Sequence, residues 1–430
     1  TVFPGNMALG AAGSEDLARQ SAKIMARELR IMGINFNFAP VVDVNSNPAN
    51  PVIGVRSFGS RPQEVARLGR AMLAPYLQEK VIATAKHFPG HGDTDVDSHY
   101  GLPLIPYSLP RLEEVELAPF QAMIDAGVPA VMMAHILAPG LTGSDVLPAS
   151  LSPKAIRYLR EEMGFQGLVV TDSLGMGAIS DNWGLEEASV MAFQAGADVI
   201  LLGPWAGVEP GDGRRIFDAL KNAVDEGTIT RERLDESVKR ILAAKVLYGI
   251  IDDPLPQREK LPRLALPESR DLARRIARES ITLVRDNVPL LPLSTDKPVS
   301  LIWPAEVEGS LAPLTEGCPF LQPHLLSLRA GEAEMRGLLD LLHDSSPLLV
   351  GTYNLQHHPA WVELINTLAR ERDVMLLALA SPYDILAAPA AGACLCTYSD
   401  SGVSMQALAE VLNGTLVPRG RLPVELPGIE

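Results

Sequence analysis

The sequence predicts an α/β fold: a (β/α)8 TIM-type barrel whose first strands are missing from this chain, followed by a smaller α/β sandwich domain. Three observations predict it. Short apolar, β-branched runs alternate with longer helical patterns through the first half, the pattern of a parallel sheet with right-handed crossovers. Most of these runs end in a charged or imidazole side chain, at the strand ends where α/β proteins assemble their sites. A Pro-rich charged connector, Ile250 to Arg263, then separates a second set of strands and helices.

The elements follow in order. Ser14 to Met32 is helical, with Ser14 as N-cap ahead of Glu15 and Asp16, and Leu17, Ile24, Met25 and Leu29 at helical spacing. Ile34 to Val44 reads as a strand carrying Asp43 at its far end. The loop Asn45 to Pro51 leads to Gly54–Gly59, which holds Arg56 between glycines. Helix Pro62 to Glu79 precedes the strand Val81 to Ala85, which delivers Lys86 and His87. Helix Leu112 to Ala126 precedes the strand Pro129 to Ile136, which holds His135. Helix Pro153 to Met163 precedes Gly167 to Asp172, and helix Leu185 to Ala195 precedes Asp198 to Leu202. Helices Arg214 to Glu226 and Arg231 to Leu247 close a barrel domain over residues 1–249. Five strands are legible where a closed barrel needs eight. At about 30 residues per βα unit, roughly 70 to 90 residues are expected before Thr1. After the linker 250–263, residues 264–430 carry the helices Pro267 to Glu279, Trp361 to Glu371 and Ser404 to Leu412. The strands expected with them are Ser280–Val284, Val299–Trp303, Leu348–Gly351, Met375–Leu379 and Ala393–Tyr398.

The densest chemistry lies in Lys86 to Tyr100, K-H-F-P-G-H-G-D-T-D-V-D-S-H-Y. Pro89, Gly90 and Gly92 break the backbone after the strand, so the acids and imidazoles that follow sit on a loop. Asp97 and His99 are two apart, and in an extended segment they project to one side. A carboxylate so placed fixes one imidazole tautomer and raises the basicity of the other nitrogen. Asp172 stands alone at a strand tip. Two metal readings compete with proton transfer. Asp93, Asp95 and Asp97 imitate the start of a calcium loop, but Ser98 and Leu104 occupy its glycine and glutamate positions. Zinc would draw on His87, His91 and His99, yet Pro89 opposes the helix that the His87–His91 spacing would need.

Composition narrows the partners. A net charge of −15 disfavours nucleic acid and anionic membranes, and 47% hydrophobic residues supply cores for two domains. No apolar run is long enough to span a bilayer. Cys318, Cys394 and Cys396 form no zinc-type pattern, and neither G-x-G-x-x-G nor a P-loop appears, so no cofactor is expected.

With these motifs in view, the chain resembles glycoside hydrolase family 3, in its β-N-acetylglucosaminidase (NagZ-like) branch. The resemblance rests on Phe3-Pro4-Gly5-Asn6-Met7-Ala8-Leu9-Gly10, Asn35 to Asp43, Asn50 to Gly59, Lys86 to His99, Met133-Ala134-His135 and Val170 to Met176. In the second half it rests on Glu279 to Val284, Ser381-Pro382-Tyr383-Asp384 and Gly420 to Val424. It implies a retaining hydrolase of GlcNAc-containing saccharides or muropeptides. Asp172 would be the nucleophile and His99, assisted by Asp97, the acid/base. Arg56, Lys86 and His87 would contact sugar hydroxyls, and His135 would line the pocket. The family's Asp for the outer sugar hydroxyls would lie upstream of Thr1. Phosphorolysis on the same scaffold, a non-catalytic saccharide-binding protein and a metal-dependent barrel hydrolase are the alternatives.

Overall fold

The computed structural model describes residues 1–204, 207–294, 296–342 and 347–428. The chain forms two compact units. The first comprises Ala18–Ile53 and Gly59–Leu264; the second comprises Thr1–Leu17, Gly54–Phe58 and the chain from Ala265 on. The amino-terminal segment and the Arg56 segment thus pack with the second unit, whereas sequence order groups them with the barrel strands. Inside that unit the Asn6 side-chain amide donates to the Arg56 carbonyl at 2.8 Å, and Arg421 N–H donates to the Ala11 carbonyl at 2.9 Å.

The first unit is a parallel half-barrel. Its strands are β1 (Phe36–Asn37), β2 (Ile82–Phe88), β3 (Ala130–Met133), β4 (Leu168–Ser173) and β5 (Val199–Leu201), hydrogen-bonded in that order. These are the five expected strands. The first is much shorter than the apolar run around it. Pro40 offers no N–H to the ladder, and on either side of it the contact with β2 continues through single bonds, Thr84 N–H to the Ala39 carbonyl and Val42 N–H to the Lys86 carbonyl, each at 2.8 Å.

Side chains alternate along a strand, so Leu168, Val170 and Asp172 share one face, as do Ile82, Thr84 and Lys86. At the amino end that face is filled by Ile82, Ala130, Leu168 and Val170 against Ile241 and Ala244 of the helix Arg231–Leu247 and Tyr248 just beyond it. Its carboxyl end is left to the ionisable groups. Below β5, buried Asp198 binds Arg160 at 2.7 Å, Arg240 at 3.1 Å and the Ser237 hydroxyl at 2.6 Å, anchoring two helices to the sheet. The expected helix Leu112–Ala126 is two helices, Leu109–Glu114 and Ala118–Asp125. Pro119 lies in the first turn of the second, where its missing N–H cannot continue the ladder of the first, and Glu116 in the break is buried against Arg111.

The second unit holds a six-stranded mixed sheet. Its strands are β6 (Thr282–Asp286), β7 (Val299–Pro304), β8 (Leu321–Leu326), β9 (Leu348–Thr352), β10 (Val374–Ala378) and β11 (Ala393–Cys396), in the order β6-β11-β10-β9-β7-β8. Only the β6–β11 pair is antiparallel. Leu301, Trp303, Leu349, Met375, Leu377 and Leu395 bury one face against Ala277, Ile281, Leu314, Leu408 and Leu412. Sequence reading missed β8. It is an edge strand with exposed Gln322, Pro323 and Leu325, so it has no alternating apolar pattern, and an edge is where a sheet tolerates proline. None of the described helices is long and apolar enough to cross a membrane.

Asp384 in this unit is 1% exposed. Its Oδ1 accepts the Leu355 N–H at 2.8 Å, while Oδ2 is buried with no hydrogen-bond partner among the described residues. Burial pushes this carboxyl up to about 6 from 3.8. Between those values the folded chain holds a proton that the unfolded chain has lost, so stability falls as pH rises. The loss from pH 4 to pH 7 is expected to be about 2 kcal/mol. Urea unfolding followed by a signal from this unit should show that slope, and Asp384→Asn should remove it.

Candidate active site

The site grows from Asp43, which is fully buried beyond β1. Its Oδ1 accepts the backbone N–H of His87 at 3.0 Å and of His91 at 2.7 Å, and its Oδ2 faces His87 Nδ1 at 2.7 Å. Burial alone would raise this carboxyl. The His87 ring and the N–H donors outweigh it and hold Asp43 below the usual carboxylate range. An ionised carboxylate can only accept, so His87 carries its proton on Nδ1.

The loop after β2 is then built inward. The Asn50 side chain donates to the carbonyls of His91 at 2.8 Å and Thr94 at 2.9 Å, and its own carbonyl accepts Ile53 N–H at 2.7 Å. Gly92 lies so close to this neighbour that an added Cβ would stand 1.9 Å from the Val44 carbonyl oxygen, so only glycine fits. His91 is buried with Nδ1 2.7 Å from the Thr94 hydroxyl and Nε2 2.8 Å from the Ser98 hydroxyl. Burial, and then the neighbouring His87 charge, push it down to about 4, so it is neutral near pH 7. Among the described residues no group of three or more His, Cys, Asp or Glu side chains is placed to hold a metal.

At the far end of the loop Asp97 Oδ1 takes both the His99 backbone N–H at 2.9 Å and His99 Nδ1 at 2.6 Å. The proton therefore sits on Nδ1, and Nε2 is the nitrogen that can give or receive one. These side chains are 23% and 26% exposed, within reach of solvent and a ligand. The loop is held to the turn after β4, where Gly177 N–H donates to the His99 carbonyl at 3.0 Å and Ala178 N–H to the Ser98 carbonyl at 3.2 Å. A Cβ on Gly177 would stand 2.8 Å from that His99 oxygen, so close docking again requires glycine.

Asp172, near the end of β4, accepts the Ser173 N–H on Oδ1 at 2.8 Å, and its Oδ2 takes no hydrogen bond among the described residues. Burial would raise it. The His87 ring, His135, the Ser173 N–H and Lys86 offset this and keep the carboxyl below its ordinary value. His135, beyond β3, is buried between the Ser150 hydroxyl at 2.8 Å and the Ser173 carbonyl at 3.0 Å. Lys86, His87, Asp97, His99, His135 and Asp172 thus all lie at the carboxyl end of the half-barrel. Arg56 lies in the second unit, at the end of the short 3-10 helix Gly54–Arg56.

Residues 1–244 match the family model for the glycosyl hydrolase family 3 N terminal domain. The chain belongs to glycoside hydrolase family 3. It is 32% identical to β-hexosaminidase A of Pseudoalteromonas piscicida, over 99% of this chain and 79% of that protein. A family 3 β-N-acetylglucosaminidase from Paenibacillus sp. superposes with a TM-score of 0.91 at 38% identity, over 99% of this chain and 83% of the other. A β-glucoside phosphorylase superposes with a TM-score of 0.85 at 26% identity, over 99% of this chain and 80% of the other. The chain is thus a glycoside hydrolase whose relatives include β-hexosaminidases.

In this family 3 site the sequence reading passed over Asp43, Asn50 and Ser150. Only Asp43 left a signal, as an acid at the end of a strand; the other two act through partners distant in sequence. Asp43→Asn is expected to cost about 2 kcal/mol at pH 7, because it weakens charge-assisted hydrogen bonds to a buried group. The native carboxyl is depressed, so its contribution is present above pH 3.8 and lost as pH falls through the lower folded value. Urea midpoints measured from pH 7 down to pH 2 should show a shallower acid loss in Asp43→Asn. Equal slopes would mean that Asp43 is not charged in the fold.

Proposed function

We propose that this protein is a retaining exo-β-N-acetylglucosaminidase that releases terminal GlcNAc from peptidoglycan-derived fragments. The observation that carries the reading is the Asp97–His99 pair, hydrogen-bonded through its loop to the turn that follows Asp172. The β-hexosaminidase relatives supply the substrate class. Asp172 attacks the anomeric carbon through its open oxygen as the bond to the leaving oxygen breaks. His99, as an imidazolium with Nδ1–H on Asp97, passes its Nε2 proton to that oxygen. Water then attacks the glycosyl ester, gives its proton to His99 Nε2 and frees Asp172, so configuration at the anomeric carbon is retained. A nucleophile carboxyl held below its ordinary value suits the first of these roles, and an imidazole oriented through Nδ1 by a carboxylate suits the second. Lys86 and His87 hold sugar hydroxyls, and Arg56 is assigned to them on sequence resemblance alone.

Hydrolysis of 4-nitrophenyl N-acetyl-β-glucosaminide is expected from the protein and lost in Asp172→Asn. His99→Ala should slow it by about a hundred- to ten-thousand-fold, and much less for a dinitrophenyl leaving group that needs no proton. A 2-fluoro glycoside should trap an ester on Asp172, and a trap on any other residue sinks the assignment. Phosphorolysis is the second reading, favoured by similarity to the β-glucoside phosphorylase. A neutral imidazole repels phosphate less than a carboxylate would. Sugar 1-phosphate formed at a phosphate-dependent rate would establish it, and a rate indifferent to phosphate would exclude it.

A further inference from the structure

His135 has a different part from the sugar contact that its sequence neighbourhood suggests. Its side chain is 1% exposed and both ring nitrogens are engaged by protein groups. The Ser173 carbonyl can only accept, so His135 Nε2 carries the proton and donates it at 3.0 Å. Burial pushes the ring below its ordinary range, so Nδ1 keeps its lone pair and accepts the Ser150 hydroxyl at 2.8 Å. The relay has one direction, from Ser150 O–H to His135 and from His135 N–H to Ser173.

Both ends of the relay are anchored. Ser150 lies in the 3-10 helix Ala149–Leu151, whose Ala149 and Ser150 N–H groups donate to the carbonyls of Ile136 at 2.9 Å and Ala134 at 3.2 Å. The donor is therefore fixed to the same strand end that carries the ring. Ser173 is held at three points: its carbonyl by His135, its hydroxyl oxygen by the Gly203 N–H at 2.7 Å, and its own N–H on Asp172 Oδ1 at 2.8 Å. Those three bonds leave the residue after Asp172 almost no freedom. The N–H that fixes one carboxylate oxygen is aimed by groups from the segments that follow β3 and β5.

We propose that Ser150 and His135 are positioning residues for Asp172, acting through Ser173 to fix the plane of the carboxylate and point Oδ2 at the reacting carbon. The inference rests on Asp172 being the nucleophile. It assigns the ring no contact with sugar.

The experiment compares Ser150→Ala, His135→Leu and His135→Gln on 4-nitrophenyl N-acetyl-β-glucosaminide, with inhibition by free GlcNAc and a thermal melt for each. Misaiming a reacting group costs about a hundred-fold. His135→Leu is expected to lower kcat by about ten- to a hundred-fold with KM and GlcNAc inhibition within about threefold. His135→Gln, whose amide can still donate to Ser173, should recover most of that loss. Ser150→Ala frees the tautomer and should lower kcat by about three- to tenfold; it carries the test if His135→Leu does not fold. GlcNAc inhibition weakened about tenfold with kcat unchanged would make His135 a sugar ligand and overturn the proposal. Unchanged kcat in both His135→Leu and Ser150→Ala would overturn it too. Asp172→Gly, rescued by azide, separates this inference from the one beneath it. If azide restores turnover, adding His135→Leu should change the rescued rate by less than about twofold, since no carboxylate remains to be aimed. A loss as large as in the parent refutes positioning, whereas no rescue by azide counts against Asp172 as nucleophile.

Discussion

One carboxylate without access to water, that of Asp43, ties together the two loops on which the site is built. A buried charge is tolerated only when hydrogen bonds replace its hydration. Asp43 meets that demand with two backbone N–H groups and one imidazole N–H, all from the segment His87–His91. The backbone path after β2 is therefore dictated by where those donors must be. Lys86 and His87 point as they do because the next residues wrap the carboxylate, and the outer loop with Asp97 and His99 is laid on that base through Asn50, His91 and Ser98.

The four histidines of the half-barrel illustrate how partner chemistry assigns roles to one side-chain type. His87 and His99 each present Nδ1 to a carboxylate, which can only accept, so Nδ1 is the nitrogen that carries the fixed proton. His91 and His135 lie against hydroxyls, and His135 also against a carbonyl; both are buried and held neutral. The first pair suits charge and proton work. The second suits construction, because a neutral ring with a defined tautomer is a rigid bifunctional connector that does not change with pH near neutrality. Asp172 stands among them in surroundings that favour its anion despite burial.

Much of this was legible in the linear chain. Apolar runs locate all five half-barrel strands, four of them with a charged or imidazole side chain at or near the end, and the two-residue spacing of Asp97 and His99 brings out their pairing. What escaped has physical reasons. An edge strand such as β8 buries little, so it carries no period to read. The helix break at Val115 to Leu117 depends on burying Glu116 against Arg111. The packing of residues 1–17 and 54–58 with the second unit follows contacts made far along the chain.

The alternation of strands and helices, the family, and the set of ionisable groups that reach the strand ends can all be read along the linear chain, because periodicity and motif spacing are local properties. Which group each imidazole faces follows instead from contacts between distant segments. Asp43 meets His87 across 44 residues, Ser150 meets His135 across 15, and His135 meets Ser173 across 38. A tautomer and a charge state are set by the atom across the hydrogen bond, and chain folding alone brings that atom into place.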